Sequence, residues 1–274
     1  MKDLRGKSAV VTGAGRGIGK RLALGLAEAG CRVALVARTE SQLQLTQLEI
    51  EAKGGVGLPF AVDLCGQAAT EACFKDIREH LGPIDILVTA AGIMGPIGSF
   101  WESEPAEWRR TIEVNLLSVM LPMRLVLPEM VARRRGKVIV LGGRGISHPR
   151  PNFTAYAASK AALGRMVESM AEELVEHNVQ VNCLAPGHTY THMTDEILEA
   201  GERAGWRDQE TAMKVRQTGG VAPAKQIEPA LFLASSQSNH VTGKIVHVDD
   251  DWKSLLLNGM VPPDLFTLRR VQRA

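Results

Sequence analysis

Residues 8–19 run Ser8-Ala9-Val10-Val11-Thr12-Gly13-Ala14-Gly15-Arg16-Gly17-Ile18-Gly19. An apolar run ends in closely spaced glycines, and Ile18, Leu22 and Leu26 then recur at helical spacing until Gly30. That is strand, tight turn and helix. The rhythm repeats outward from there, with strands predicted at 32–37, 56–62, 84–89, 137–141, 180–185 and 244–248. Helices are predicted at 41–53, 67–81, 105–135 and 155–177, and Pro122 and Pro128 predict a kink or break in the third of these. Seven short apolar strands without in/out alternation imply a parallel sheet covered by helices on both faces, reached through right-handed crossovers. The expected fold is α/β, a single-domain Rossmann fold with a seven-stranded, doubly wound sheet.

Two segments fall outside the rhythm. Residues 188–225 mix histidines, aromatics, charges and glycines, and they follow the C-terminal end of a strand, where open α/β sheets bind ligands. They are assigned as a substrate lid within a catalytic domain spanning 1–250. Residues 251–274, with Leu255, Leu256 and Leu257 and then Arg269, Arg270 and Arg273, form a tail expected to pack on a neighbouring subunit.

The chain has 274 residues with 32 basic and 30 acidic side chains, a formal net charge of +2. That balance creates no field able to gather nucleic acid or an anionic membrane, so neither is an expected partner. No stretch is read as approaching the roughly 18 consecutive apolar residues of a membrane span, and Met1-Lys2-Asp3-Leu4 leads into a strand without an apolar leader; the expected location is the cytoplasm. Cys31, Cys65, Cys73 and Cys183 contain no CxxC pair and read as reduced thiols. His188, His192 and Asp195 are close in sequence, but the segment follows Pro186-Gly187 and need not be helical, so no metal site is assigned.

Glycines in the first βα turn let backbone N–H groups and a helix N-terminus approach a pyrophosphate, although a plain βα turn also uses glycine. The second strand ends at Ala37-Arg38-Thr39, without the acid that would bind an adenosine ribose diol. Arg38 and Arg16 suit a 2′-phosphate, hence NADP(H); two solvated surface arginines are the ordinary alternative. Asp63-Leu64 after the third strand would lie near the adenine, with a helix N-cap as the competing role for Asp63. Tyr156 and Lys160 stand four apart at the start of a helix, so phenol and ammonium share one face. A nearby cation favours the phenolate and makes the tyrosine a usable proton donor and acceptor.

With Ala91-Gly92, Asn115 in Val114-Asn115-Leu116, Pro186-Gly187, Thr191 and Met193 in order behind the glycine turn, the chain from about residue 6 to 250 resembles a classical short-chain dehydrogenase/reductase. The resemblance implies hydride transfer between NADP(H) and a carbonyl or alcohol of a small to medium organic substrate. By it, Tyr156 is the general acid/base, Lys160 holds the nicotinamide ribose and lowers the tyrosine pKa, and Asn115 positions a water. It places the cofactor on Gly13, Gly15, Arg16, Gly17, Ile18, Gly19, Arg38, Thr39, Asp63, Leu64, Ala91, Gly92, Asn115, Tyr156, Lys160, Pro186, Gly187, Thr189, Thr191 and Met193. It also implies a homodimer or homotetramer built through the helices at 105–135 and 155–177.

Three departures from the family stand out. Its serine, thirteen residues before the tyrosine, is Gly143; losing one such donor costs about a hundredfold or more in rate. Ser147 is the nearest substitute, with a plain loop residue as the alternative, and His148, Thr154 and His188 are others. The usual Asn-Asn after strand four is Thr89-Ala90, and a glycine pair after the last strand is Asp250-Asp251. The missing serine keeps open an imine or activated C=C acceptor, or a non-redox isomerase, cyclase or lyase. Arg144, His148, Phe153, His188, Tyr190 and Trp206 are the candidate substrate contacts; Arg150, Phe100 and Trp101 are further ones, with surface or core packing as the alternative.

Overall fold

The computed structural model describes residues 2–256, 261–262 and 264–268. Seven strands, β1 (Ser8–Thr12), β2 (Arg32–Ala37), β3 (Val56–Ala61), β4 (Ile86–Thr89), β5 (Gly136–Leu141), β6 (Val179–Ala185) and β7 (Ile245–His247), form one sheet in the order β3-β2-β1-β4-β5-β6-β7. Every pairing is parallel, and Val10 of β1 lies between Ala34 of β2 and Leu87 of β4. Ala9 and Val11 enter one hydrophobic core and Val10 the other, which is why the strand reads as a continuous apolar run.

Helices α1 (Gly17–Glu28) and α9 (Pro223–Ala234) pack on one face, while α3 (Gln67–Leu81), α5 (Ser118–Ala132) and α6 (Thr154–Leu174) cover the other. Helix α2 (Glu40–Glu51) flanks the β2–β3 edge. Strand order reverses between β1 and β4, which opens a crevice at the C-terminal strand ends.

Three expectations change. The helix predicted at 105–135 is α4 (Pro105–Ile112), a π-helical turn at Glu113–Leu117 and α5, so the irregularity falls on Asn115 and leaves Pro122 and Pro128 inside α5. The stretch Pro105–Ala132 is also long and apolar enough to cross a membrane by length and composition alone, contrary to the sequence expectation; here Val119, Met123, Val126 and Met130 are buried in the core. Residues 188–225 are mostly helical, as α7 (His192–Ala200), a 3-10 turn at Gly201–Ala204 and α8 (Trp206–Thr218).

The start of the tail turns back onto its own chain. Trp252 stacks on Phe232 with ring centroids 5.6 Å apart, and Leu255 is buried. Further on, Ile245 N–H donates to Phe266 O at 2.6 Å. The apolar side chains of this stretch find the core beside α9. Leu257, Arg269, Arg270 and Arg273 lie outside the described residues. Asp250 closes the turn after β7 by accepting from His247 N–H at 2.7 Å, a local role the usual glycines could not fill.

Candidate active site

A cavity of about 500 Å³ runs along the strand ends, from Arg38 and Thr39 after β2 to Pro186 and Gly187 after β6. At its centre the first βα turn is shaped by close approach. A Cβ on Gly13 would come within 2.8 Å of the Ala91 nitrogen, and one on Gly19 within 2.3 Å of Gly13 O. Helix α1 opens on this cavity with Arg16 at its N-cap and no side chain capping its first turn. Unpaired N–H groups with a favourable helix dipole suit a pyrophosphate, so the residues present fit a dinucleotide.

The ends of the cavity differ in chemistry. Arg16 and Arg38 are exposed at the β2 end, and neither makes an ion pair or side-chain hydrogen bond with the described residues. Asp63 is not a helix N-cap: its Oδ1 accepts from Cys65 N–H at 3.1 Å, and Arg110 lies 3.6 Å away. The Cys65 N–H bond and the two nearby arginines hold its carboxyl below the usual range.

Tyr156 and Lys160 come from the first turns of α6 and are both nearly fully buried. The Lys160 ammonium donates to Leu141 O at 3.0 Å and lies 5.7 Å from the Tyr156 ring centroid. Burial pushes the Lys160 pKa down to about 8. Burial also raises the Tyr156 pKa, opposed by a second cation, Arg150, whose guanidinium carbon lies 5.2 Å from the ring centroid.

Gly143 faces the phenol. A Cβ there would lie 2.3 Å from the Tyr156 hydroxyl, so the phenol occupies the space where a longer side chain would start. Ser147, the candidate substitute hydroxyl, stands off the cavity. It is exposed and paired with His148 at 2.9 Å, and neither lines the cavity, because neighbouring Ile146 is the residue of this loop turned into the core.

Asn115 is fully buried behind the cavity. Its Oδ1 accepts from Ile93 N–H at 2.8 Å, and its Nδ2 donates to Ile93 O at 3.0 Å and Ser159 Oγ at 3.1 Å. With both amide hydrogens used, the side chain braces the loop after β4 against α6; the expected water-holding role finds no free donor on it. In the same loop Thr12 Oγ1 accepts from Ala90 N–H at 3.0 Å and from Ala91 N–H, a tie across the Thr89-Ala90 departure.

The segment after β6 closes the far wall. Thr191 caps α7 in a reciprocal box with Thr194, and its methyl would lie 3.3 Å from a Cβ on Gly17. Met193 Cε would lie 3.9 Å from one on Gly92. Every predicted cofactor residue lines the cavity except Asn115, and so do Arg144, His188 and Tyr190. Phe153 does not: it is fully buried beneath Arg150, 3.9 Å from guanidinium carbon to ring centroid. Trp206 also lies off the wall, 71% exposed at the start of α8, as do exposed Phe100 and Trp101.

Two residues had no motif to announce them. Asp208 on α8 accepts from Arg144 and Arg150, and buried Gln226 on α9 donates to Pro186 O at 2.8 Å and to Thr189 Oγ1. All four cysteines are free, and burial pushes the Cys183 thiol up to about 12.

Residues 7–202 match the sequence family described as short chain dehydrogenase. The chain belongs to that family. As a short chain dehydrogenase it is an oxidoreductase with a nicotinamide cofactor. It is 32% identical to the 2,3-dihydro-2,3-dihydroxybenzoate dehydrogenase of Bacillus subtilis, over 90% of this chain and 96% of that one. It is 34% identical to the 5-keto-D-gluconate 5-reductase of Escherichia coli, over 90% and 95%. Its fold matches a gluconate 5-dehydrogenase of Burkholderia cenocepacia, solved with NADP and tartrate, with a TM-score of 0.79, 30% identity, and 92% and 98% of the two chains covered.

Proposed function

We propose that this short chain dehydrogenase uses NADP(H) to interconvert a carbonyl and an alcohol on a small organic molecule, with Tyr156 as the general acid/base. The observation that carries this reading is that one cavity holds both the uncapped glycine turn of α1 and the buried Tyr156/Lys160 pair.

When bound along the glycine turn and the wall at Pro186 and Gly187, NADP(H) would supply or accept the hydride for the carbonyl carbon. Tyr156 gives its phenolic proton to the oxygen, completing the alcohol; in reverse it takes that proton back. Lys160 lies within reach of the same wall and carries the positive charge that steadies the phenolate. Arg16 and Arg38 support the choice of NADP(H), since both are exposed guanidiniums, without an ion pair among the described residues, at the end of the cavity where a 2′-phosphate would sit.

The loss of the family serine does not require a different chemistry. Arg150, close to the Tyr156 ring and on the cavity wall, provides a donor-bearing cation beside the phenol. We also propose a homo-oligomer packed through α5 and α6, where Leu117 and Met120 near the start of α5 stand exposed.

The test follows NADPH absorbance against a panel of ketones, imines and enones, with Tyr156→Phe in parallel. Ketone-dependent NADPH loss abolished by the substitution supports the reading. Exclusive use of imines or enones, or tight NADPH binding without any redox turnover, overturns it.

A further inference from the structure

Resting on the reading of Tyr156 as proton donor, we infer that the substrate carries a carboxylate, received by a two-guanidinium clamp of Arg144 and Arg150 that Asp208 holds in place. Arg150 is the rigid half. Its side chain is 6% exposed, stacked on Phe153, with Nε and Nη2 donating to Asp208 Oδ1 at 3.2 and 2.8 Å. Arg144 reaches the same oxygen through Nη1 at 3.0 Å and leaves 40% of its side chain exposed. All three lie on the cavity wall.

One carboxylate between two guanidiniums leaves one positive charge over. Other groups facing the cluster do not cancel it. His188 is held below its ordinary pKa by burial and by both arginines, so it is neutral near pH 7. Glu196 of α7, which also lines the cavity, lies 3.8 Å from His192, and burial raises its pKa. Asp63 lies with Arg110 at the opposite end.

Donors are left over as well. Among the described residues Arg150 Nη1 meets only the Met94 sulfur, at 3.5 Å, and Arg144 has no second acceptor. A largely desolvated cation with unmet N–H groups is costly in an empty pocket and favourable around an anion. The planar fork of arginine matches a carboxylate, and the single surplus charge matches a monoanion. Because Arg150 also lies against the Tyr156 ring, carboxylate and reacting carbonyl belong to one small molecule.

The deciding experiment compares matched pairs: levulinate with methyl levulinate, acetoacetate with methyl acetoacetate, and phenylglyoxylate with its methyl ester. Initial rates are measured with NADPH for the wild type, Arg144→Gln and Arg144→Lys. The expected result is a preference of about 30-fold or more in kcat/KM for the acid, carried by KM, since charge-assisted fork contacts are the strong ones. Arg144→Gln should reduce that preference to about threefold, and Arg144→Lys, which keeps charge without the fork, should fall between. Esters used as well as acids would overturn the clamp while leaving carbonyl reduction standing. A second arm reads binding without turnover, as the Tm of the NADP complex with each acid or ester. Acids alone should raise it, and Arg144→Gln should abolish the rise; no rise with any acid overturns the inference even where turnover is absent.

Discussion

The Cβ position of Gly143 lies 2.3 Å from the Tyr156 hydroxyl, closer than any non-bonded contact allows, so in this fold the Tyr156 phenol and a side chain at 143 compete for one space. A serine placed at 143 should therefore displace the phenol. Gly143→Ser and Gly143→Ala should both lower kcat/KM by about tenfold or more, a barrier increase of about 1.4 kcal/mol. Steady-state kinetics of the two variants checks this, and a gain in Gly143→Ser would show that the phenol moves aside without loss.

Asp208 neutralises a buried guanidinium, and removing its charge strands Arg150 in the protein interior. Asp208→Asn should cost about 3 kcal/mol of stability, the range for breaking a buried pair. For a chain of this size that lowers Tm by about 6–12 °C, measurable by calorimetry.

Arg16 and Arg38 stand exposed at the proposed 2′-phosphate end of the cavity. Replacing both with alanine should weaken NADPH binding by between about 10- and 100-fold, the loss expected for hydrogen bonds to a charged group, while NADH binding changes little. Fluorescence titration with both cofactors separates the two; equal weakening would refute the phosphate assignment.

The pH dependence follows from two opposite shifts. Burial holds the Tyr156 phenol protonated through the neutral range, and Lys160 loses its proton near its lowered pKa of about 8. Reduction needs both protons, so its kcat/KM should be level below about pH 7 and fall above about pH 8. Alcohol oxidation needs the phenolate and should instead rise as pH approaches 8. Profiles measured in both directions test the assignment; identical profiles would contradict it.

The sheet was legible because local pattern and burial agree. Val10 and Val11 face different cores, so alternation vanishes, and such runs alternating with helical segments point to a parallel sheet. The glycine turn and the Tyr156/Lys160 pair were legible for a similar reason: close backbone approach and i/i+4 spacing are both local facts. The substrate wall was not. Ser147, His148, Phe153 and Trp206 have suitable chemistry, but Ile146 is the residue of its loop turned inward, Phe153 is covered by Arg150, and Trp206 stands exposed at the start of α8.

Sequence alone therefore determined the α/β class, the alternation of strands and helices, the glycine turn and the Tyr156/Lys160 spacing, since each depends on residues within one or two turns of chain. Only the tertiary structure decided that Asn115 braces a loop, that the phenol fills the space beside Gly143, and that Asp208 joins Arg144 and Arg150. Asp208 lies 58 residues from Arg150, and Asn115 lies 44 from Ser159. Contacts at such separations leave no periodic trace, because they are selected by how whole elements pack and not by the spacing of neighbours along the chain.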